Sequence, residues 1–340
     1  MLSVPLVTHL DLLIPTFQRP ALLRAALESI ARAAPPRAMA VSVTVINNDT
    51  EPLVLEPALV AGPYPVRVLH ERRRGKSAAL NAGIAASTAD YIGLIDDDER
   101  LAADWFLVAE RALAGGQFDF IGGRATLLPS AMPDWLPPGY PAVLGSADNG
   151  PDPLPYGLDF GGLLMGGNAV ISRATLRAVG PYSTSLGPRA DRRLCSCEDE
   201  DMYLRLLDAG ARGQYLPDLV VHHYVHPDRL TRRYYRSWCF WNGASKGVLG
   251  RRHPLRVRQL AGVPRYAFGD AVRGLLRWGG AVVTYRPASM RMAGELPAWH
   301  LAGRIYGRYL QRHDVRRQPG TGPDDGHDTS LDPAHEPAPY

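Results

Sequence analysis

Residues 91–99 read Tyr91-Ile92-Gly93-Leu94-Ile95-Asp96-Asp97-Asp98-Glu99, an unbroken apolar run that ends in four acids. A half-exposed strand would alternate apolar and polar residues, so a continuous run of this length fits a strand buried on both faces. Four carboxylates at its end repel one another, and a divalent cation would offset that repulsion. Hard cations such as Mg²⁺ or Mn²⁺ take oxygen ligands and keep substrate phosphates in their shell. Alternate residues of an extended segment project to one side, which predicts that Asp96 and Asp98 converge while Asp97 points away.

Upstream of this run, strand-like and helix-like patterns alternate. Leu10 to Ile14, Val41 to Ile46 and Val66 to Leu69 read as strands, while Ala21 to Ala34 and Ser77 to Ala86 read as helices. Such alternation predicts an α/β fold with right-handed crossovers and a mainly parallel, mixed sheet flanked by helices. Ligands of such sheets bind at the carboxyl ends of the strands. Polar clusters stand at those ends, after Ile14, Ile46 and Ile95. Downstream, Ala102 to Ala114 predicts a helix and Phe118 to Ile121 a strand. Pro129 to Pro155, dense in Pro, Gly and Asp, predicts a surface loop or lid. Ser172 is placed to cap a helix over Arg173 to Val179, Glu198 to Leu207 predicts another helix, Leu216 to Val225 a strand, and Leu230 to Gly247 an aromatic-rich helix.

Two further clusters carry chemistry. Arg72-Arg73-Arg74-Gly75-Lys76-Ser77 precedes a helix, where free backbone N–H groups and a lysine suit a phosphate. The glycine spacing of a Walker A loop is absent. Glu198-Asp199-Glu200-Asp201 opens a helix, where the dipole favours anionic side chains. Trp135, Trp238 and Trp241 are suited either to stacking on sugar rings or to core packing.

The succession LLIPTFQRP, VTVINNDT, GKSAALNAG, YIGLIDDDE, GGNAVISR and CEDEDMYLRL resembles the family 2 glycosyltransferases of the GT-A fold. The likeness runs from Leu10 to Asn242, and it is the order of the motifs that makes it specific. It implies an inverting, metal-dependent transfer of a sugar from a nucleotide diphosphate sugar to an acceptor hydroxyl, in cell-surface polysaccharide or glycolipid synthesis. By position, it implies a nucleoside pocket at Pro15, Thr16, Arg19, Asn47 and Asn48, with Lys76, Asn81, Asp96 and Asp97 near the donor and Gly167 and Asn168 on the glycine-rich acceptor-side segment. The family's Asp-x-Asp falls on Asp96 and Asp98. The resemblance makes Asp98 the foremost ligand for Mg²⁺ or Mn²⁺, with Asp96 and His223 beside it. Asp199 becomes the general base and Glu198 the second candidate. UDP-sugar is the first expectation for the donor, although Asn47-Asn48 stands where the family often has an aspartate facing uracil.

Charge adds a partner class. Between Pro227 and Arg312 there are 17 Arg and Lys against three acids, in a chain whose net charge is +4, so the remainder is net acidic. The basic stretch suits an anionic membrane or a lipid-linked or carbohydrate acceptor, and no motif for reading nucleic acid accompanies it. No run reaches the roughly 20 apolar residues of a membrane span, and the N-terminus lacks the pattern of a signal peptide. The three cysteines, Cys195, Cys197 and Cys239, are few, which fits a reducing compartment. The expectation is a cytoplasmic protein, peripheral at the inner face of the cell membrane. Its organisation would be a GT-A domain over 1–226 (donor half 1–125, acceptor half 126–226), a basic helical extension over 227–312 and a disordered tail over 313–340. A sugar nucleotidyltransferase is the competing enzyme class, but it usually carries a glycine-rich loop after the first strand. Pro15 to Arg19 holds no glycine. A non-catalytic carbohydrate-binding relative is the other alternative, and intact acids at both clusters argue against it.

Overall fold

The computed structural model describes residues 8–128, 132–137, 141–188, 195–255 and 257–309. The tail expected to be disordered, 313–340, lies outside them.

The first half is a set of β–α crossovers: β1 (Thr8–Thr16), α1 (Pro20–Arg32), β2 (Met39–Asn47), α2 (Pro57–Val60), β3 (Val66–His70), α3 (Lys76–Ala86) and β4 (Tyr91–Leu94). These strands pair in parallel in the order β3-β2-β1-β4. The chain moves from β1 to one side for β2 and β3, then returns to the other side for β4. The strand order therefore reverses at β1, and a crevice opens at the carboxyl ends of β1 and β4.

The second half continues with β5 (Glu99–Leu101), α4 (Trp105–Leu113), β6 (Phe120–Leu128), β7 (Leu154–Pro155), β8 (Ala169–Ser172), α5 (Arg173–Val179), α6 (Glu198–Asp208) and β9 (Gly213–Tyr224). Here β8 runs antiparallel between β4 and β6, β9 is parallel to β6, and β5 and β7 are antiparallel to β9. The parallel expectation thus holds for the first half, and the second half makes the sheet mixed. Ser172 caps α5 as its sequence position predicts, its Oγ accepting from the Thr175 N–H at 3.0 Å.

The apolar runs are buried on both faces of the sheet. Leu10, Leu12 and Ile14 pack with Leu23, Leu27 and Ile30 of α1 and with Trp105 and Phe106 of α4. Leu13, Ile92 and Leu94 turn to the other face, against Ala79 and Leu80 of α3 and Met202 and Leu206 of α6. Each such side chain contributes about 1.5–3 kcal/mol on burial.

Past β9 the chain is mainly helical: α7 (Arg232–Arg252), a small hairpin of β10 (Gln259–Leu260) and β11 (Val263–Pro264), α8 (Arg265–Val283) and α9 (Ala288–Tyr309). Glycines bring α7 and α9 into backbone contact; a β-carbon at Gly303 or Gly307 would collide with the backbone of Phe240 or Ala244. Tyr235 and Cys239 of α7 and Met292 and Leu296 of α9 share a core with Val143, Leu144 and Val225. That core fixes the helices over the carboxyl end of the sheet.

Candidate active site

An open cleft of about 760 Å³ lies at the carboxyl ends of β1, β2 and β4. Pro15, Thr16 and Arg19 line it from the end of β1, Asn48 from the end of β2, and Lys76 from the start of α3. Asp96, Asp97 and Asp98 form one wall, with Glu198 and His223 also facing in.

The three aspartates do not sort by strand alternation. The chain leaves β4 after Leu94 and turns, the Glu99 N–H donating to the Asp96 carbonyl at 3.0 Å. In this turn Asp97 does not point away. Its carboxylate accepts from Thr16 Oγ1 at 2.8 Å, and Arg19 Nη1 reaches both Asp97 Oδ1 and Asp98 Oδ2 at 3.2 Å. Asp98 also meets His223 Nε2 and Arg229 Nη2, each at 3.4 Å. Asp96 faces the opposite way, with its Oδ1 2.6 Å from Lys76 Nζ. Asp96 and Asp98 therefore serve two different cationic groups rather than converging on one point.

Electrostatics divide the turn in the same way. Burial, reinforced by Asp98, pushes the Asp97 carboxyl up to about 6. Burial acts on Asp98 too, but the His223 ring, Arg229 and Arg19 outweigh it and hold this carboxyl far below the usual range. Lys76 stays charged against burial because Asp96, Asp199 and Glu198 surround it. Glu99 is buried behind the turn, its carboxyl raised well above normal by burial and by Asp96, and its Oε2 accepts from the Asp96 N–H at 2.8 Å. It shapes the turn from within.

The second acidic cluster opens α6. Cys197 precedes it in the left-handed region (φ 73°) and its side chain makes no capping hydrogen bond, so the four acids of the first turn stand where the helix dipole favours negative charge. Glu198 lines the cleft, and burial with Asp199 beside it pushes its carboxyl up to about 8. Asp199 sits beneath Gly166, where a β-carbon would collide with its carboxylate. Burial raises the Asp199 carboxyl while Lys76 opposes the rise, and its Oδ1 is buried with no hydrogen-bond partner among the described residues.

Four asparagines expected at the site, three on the donor side and Asn168 on the acceptor side, have their side chains engaged with the protein's own backbone or side chains. Asn168 is fully buried, accepting from Trp105 Nε1 at 2.9 Å and donating to the carbonyls of Leu219 (2.7 Å) and Arg124 (3.1 Å). Asn81 clamps Tyr182, donating to its carbonyl at 2.9 Å and accepting from its N–H at 2.7 Å. Asn47 ties its own loop to the Glu51 carbonyl at 2.7 Å. Asn48 reaches the cleft, but its amide donates to the carbonyls of Glu71 and Arg73 (2.8 Å each) and accepts from the Gly75 N–H (2.7 Å), which holds the basic loop in place. Gly167 packs against Glu99, where a β-carbon would collide with the carboxyl.

Other cleft residues were not marked as site residues by the sequence. Arg229 and Tyr234 enter from the segment after β9, and Phe17 pairs at the rim with Arg74 of the basic cluster, a cation–π contact of 4.8 Å. Arg229 stood only as one of many arginines in the basic stretch. Of the three tryptophans considered for sugar stacking, Trp238 faces the cleft. Trp135 packs edge-on to Tyr235 at 5.3 Å and Trp241 to Phe240 at 5.2 Å.

No group of three or more His, Cys, Asp and Glu among the described residues is arranged to hold a metal ion. Asp98 and His223 are the donors that come together, with Asp97 on the same turn. That set fits a hard cation which completes its shell with substrate phosphates and water, not one caged by protein alone.

A parallel half-sheet with an acidic turn at its reversal point, joined to a mixed half carrying a second acidic pair, is the arrangement of a GT-A glycosyltransferase. The family described as Glycosyl transferase family 2 matches residues 11–128. The chain is 28% identical over 250 residues to the succinoglycan biosynthesis protein ExoM of Rhizobium meliloti, covering 71% of this chain and 75% of that protein. It is 27% identical over 222 residues to the pre-mycofactocin glycosyltransferase of Mycobacterium tuberculosis, of which it spans 44%. Among solved structures, the mannosyltransferase PcManGT from Pyrobaculum calidifontis, in complex with GDP-Man and Mn²⁺, shares the fold with a TM-score of 0.57 at 18% identity, over 89% of this chain and 88% of that one. S. aureus TarS 1–349 does so with a TM-score of 0.50 at 12% identity, over 86% and 90%. Residues 11–128 thus match the family 2 glycosyltransferases, and the named relatives mark the protein as a transferase enzyme.

Proposed function

We propose that this enzyme transfers a sugar from a nucleotide diphosphate donor to an acceptor hydroxyl with inversion at the anomeric carbon. One observation carries the reading: the cationic groups Arg19, Lys76 and Arg229 and the first acid of α6, Glu198, face one cleft from different elements, with Asp199 next to Glu198 and acting on the same Lys76. Asp199 takes the proton of the acceptor hydroxyl as its oxygen bonds the anomeric carbon. The bond from that carbon to the diphosphate breaks, and the electron pair leaves with the diphosphate. Lys76 and the arginines stabilise the charge that grows there. Glu198, whose carboxyl titrates near about 8, holds a proton at neutral pH and leaves the ionised role to Asp199. Asp98 and His223 would hold Mg²⁺ or Mn²⁺, which when bound supplies further positive charge beside the diphosphate.

UDP-sugar is the first donor to try, and GDP-sugar the second, because the mannosyltransferase of the same fold binds GDP-Man. The likeness to a succinoglycan biosynthesis protein supports a place in polysaccharide assembly. We take the acceptor to be a carbohydrate or lipid-linked sugar at the cytoplasmic face of the membrane. The test is a donor panel of UDP-, GDP- and dTDP-sugars with Mn²⁺, Mg²⁺ or EDTA, scored by thermal shift and donor hydrolysis. Metal-dependent stabilisation by one donor is the expected result. Silence across the panel from folded protein would overturn the reading. Asp199→Asn should abolish transfer and keep donor binding; loss of donor binding instead would remove Asp199 from the role of base.

A further inference from the structure

Helix α8 has its large apolar residues on the outside. The side it turns to the protein is made of small residues, Ala267, Ala271, Gly274 and Ala281, with Gly274 against Gly294 and Pro297 of α9. Val272, Leu275, Leu276, Val282 and Val283 face outward, Leu276 at 72% and Val283 at 76% exposure. With 3.6 residues per turn these five fall on a continuous stripe about 120° wide. Tyr285, 93% exposed, follows directly at the end of the helix. A surface helix ordinarily turns such a stripe inward. Single exposed aliphatic residues need no explanation, but a contiguous row of them does.

One flank of the stripe is cationic, with Arg273 and Arg277 along it. Arg265 stands on the same helix, whose one acid, Asp270, is paired with Arg273 at 2.6 Å. Over residues 253–294 there are seven arginines against that single acid. The chain's own residues 310–340 are a poor match as a cover, because their large aliphatic side chains, Leu310, Val315 and Leu331, are too few and too far apart to fill the row. An aliphatic stripe edged by arginines complements an anionic lipid surface. The stripe enters the boundary of the acyl chains, and the guanidinium groups meet the headgroups. No helix among the described residues is long and apolar enough to cross a membrane, so the geometry is that of a helix lying in the interface.

We propose that α8, with Tyr285 at its end, is the surface by which this protein docks on anionic membranes. The inference rests on the exposed face of α8 and stands or falls separately from the glycosyl-transfer reading. The experiment is co-sedimentation of the full chain with vesicles of phosphatidylcholine alone and of phosphatidylcholine with phosphatidylglycerol. Wild-type protein should bind the anionic vesicles and release them as salt rises. Leu276→Glu with Val283→Glu should weaken binding more than about tenfold while leaving the melting curve and donor hydrolysis unchanged, since neither residue is near the cleft. If that variant is unstable, Arg273→Gln with Arg277→Gln serves in its place, with a loss of about fivefold per charge. Absence of wild-type binding, equal binding by the variants, or equal binding to neutral vesicles would overturn the proposal. So would a lipid-free dimer in sedimentation velocity that the Leu276/Val283 variant dissociates, because the stripe would then belong to a second copy of the chain.

Discussion

Lys76 Nζ stands 2.6 Å from Asp96 Oδ1, the ammonium 16% and the carboxylate 28% exposed. The pair joins the start of α3 to the turn after β4 across the mouth of the crevice. Asp199 and Glu198 add their fields from α6, so one ammonium answers three acids. A diphosphate entering the cleft would compete for that ammonium, and the pair sets what it must displace.

Lys76→Met should therefore cut kcat/KM for donor turnover by about 10²- to 10³-fold, the range seen when a preorganised charge-stabilising group is removed. Steady-state turnover of the nucleotide sugar that answers the donor panel checks this. A variant with unchanged kcat/KM would show that Lys76 belongs to the fold and not to the chemistry.

Glu198 predicts a pH dependence of stability. Its carboxyl titrates near its ordinary 4.5 in the unfolded chain and near about 8 in the folded protein. Between those values the folded state holds the extra proton, so stability falls as pH rises through the window. The slope from this one group approaches about 1.4 kcal/mol per pH unit at most. Glu198→Gln should flatten that part of the profile and be the more stable protein at the alkaline end. Urea denaturation at a series of pH values measures both, and parallel profiles for the two proteins would refute the assignment.

The fold was legible because its strands are buried on both faces. Leu10 to Ile14 and Tyr91 to Leu94 read as apolar runs for that reason, and their polar ends mark the crevice. The acidic turn was legible as a site, but its geometry was not. Strand alternation ends where the Glu99 N–H closes the turn on Asp96, and nothing local in four consecutive acids announces it. Asn81 and Asn168 illustrate a different limit. An asparagine that binds a ligand and one that binds a carbonyl look the same in sequence, and only the assembled fold shows their amides already engaged. Arg229 reaches Asp98 from 131 residues away because β9 runs antiparallel to β5, a pairing without local signal. In α8 the periodicity gives a stripe, but which side faces inward depends on the glycines of the neighbouring helix.

Asn168 should behave as a structural residue. Alanine there strands the Trp105 indole N–H and the carbonyls of Leu219 and Arg124 in a dry interior. Each group left without a partner costs about 1–3 kcal/mol, so a total loss of roughly 3 kcal/mol or more is expected. Chemical denaturation measures the loss. The thermal shift produced by donor should persist in any sample that remains folded, and its disappearance would return Asn168 to the binding site.

Asp98 and Arg229 predict a linkage between cation and donor. Arg229 and Arg19 already hold the Asp98 carboxylate, at 3.4 and 3.2 Å, and His223 stands beside it. A divalent ion has to compete with two guanidinium groups for the Asp98 carboxylate, both of them on Oδ2. Mn²⁺ should therefore bind weakly until donor phosphates supply the rest of its shell and give the arginines another anion. Arg229→Ala removes one competitor and one phosphate partner together. Mn²⁺ should then bind donor-free protein more tightly while the donor binds less tightly, whereas Asp98→Asn should lose the metal dependence of donor binding altogether. Calorimetric titration of Mn²⁺ with and without donor separates these outcomes. If Arg229→Ala weakened both ligands equally, competition at Asp98 would be refuted, and Arg229 would act on the site through structure alone.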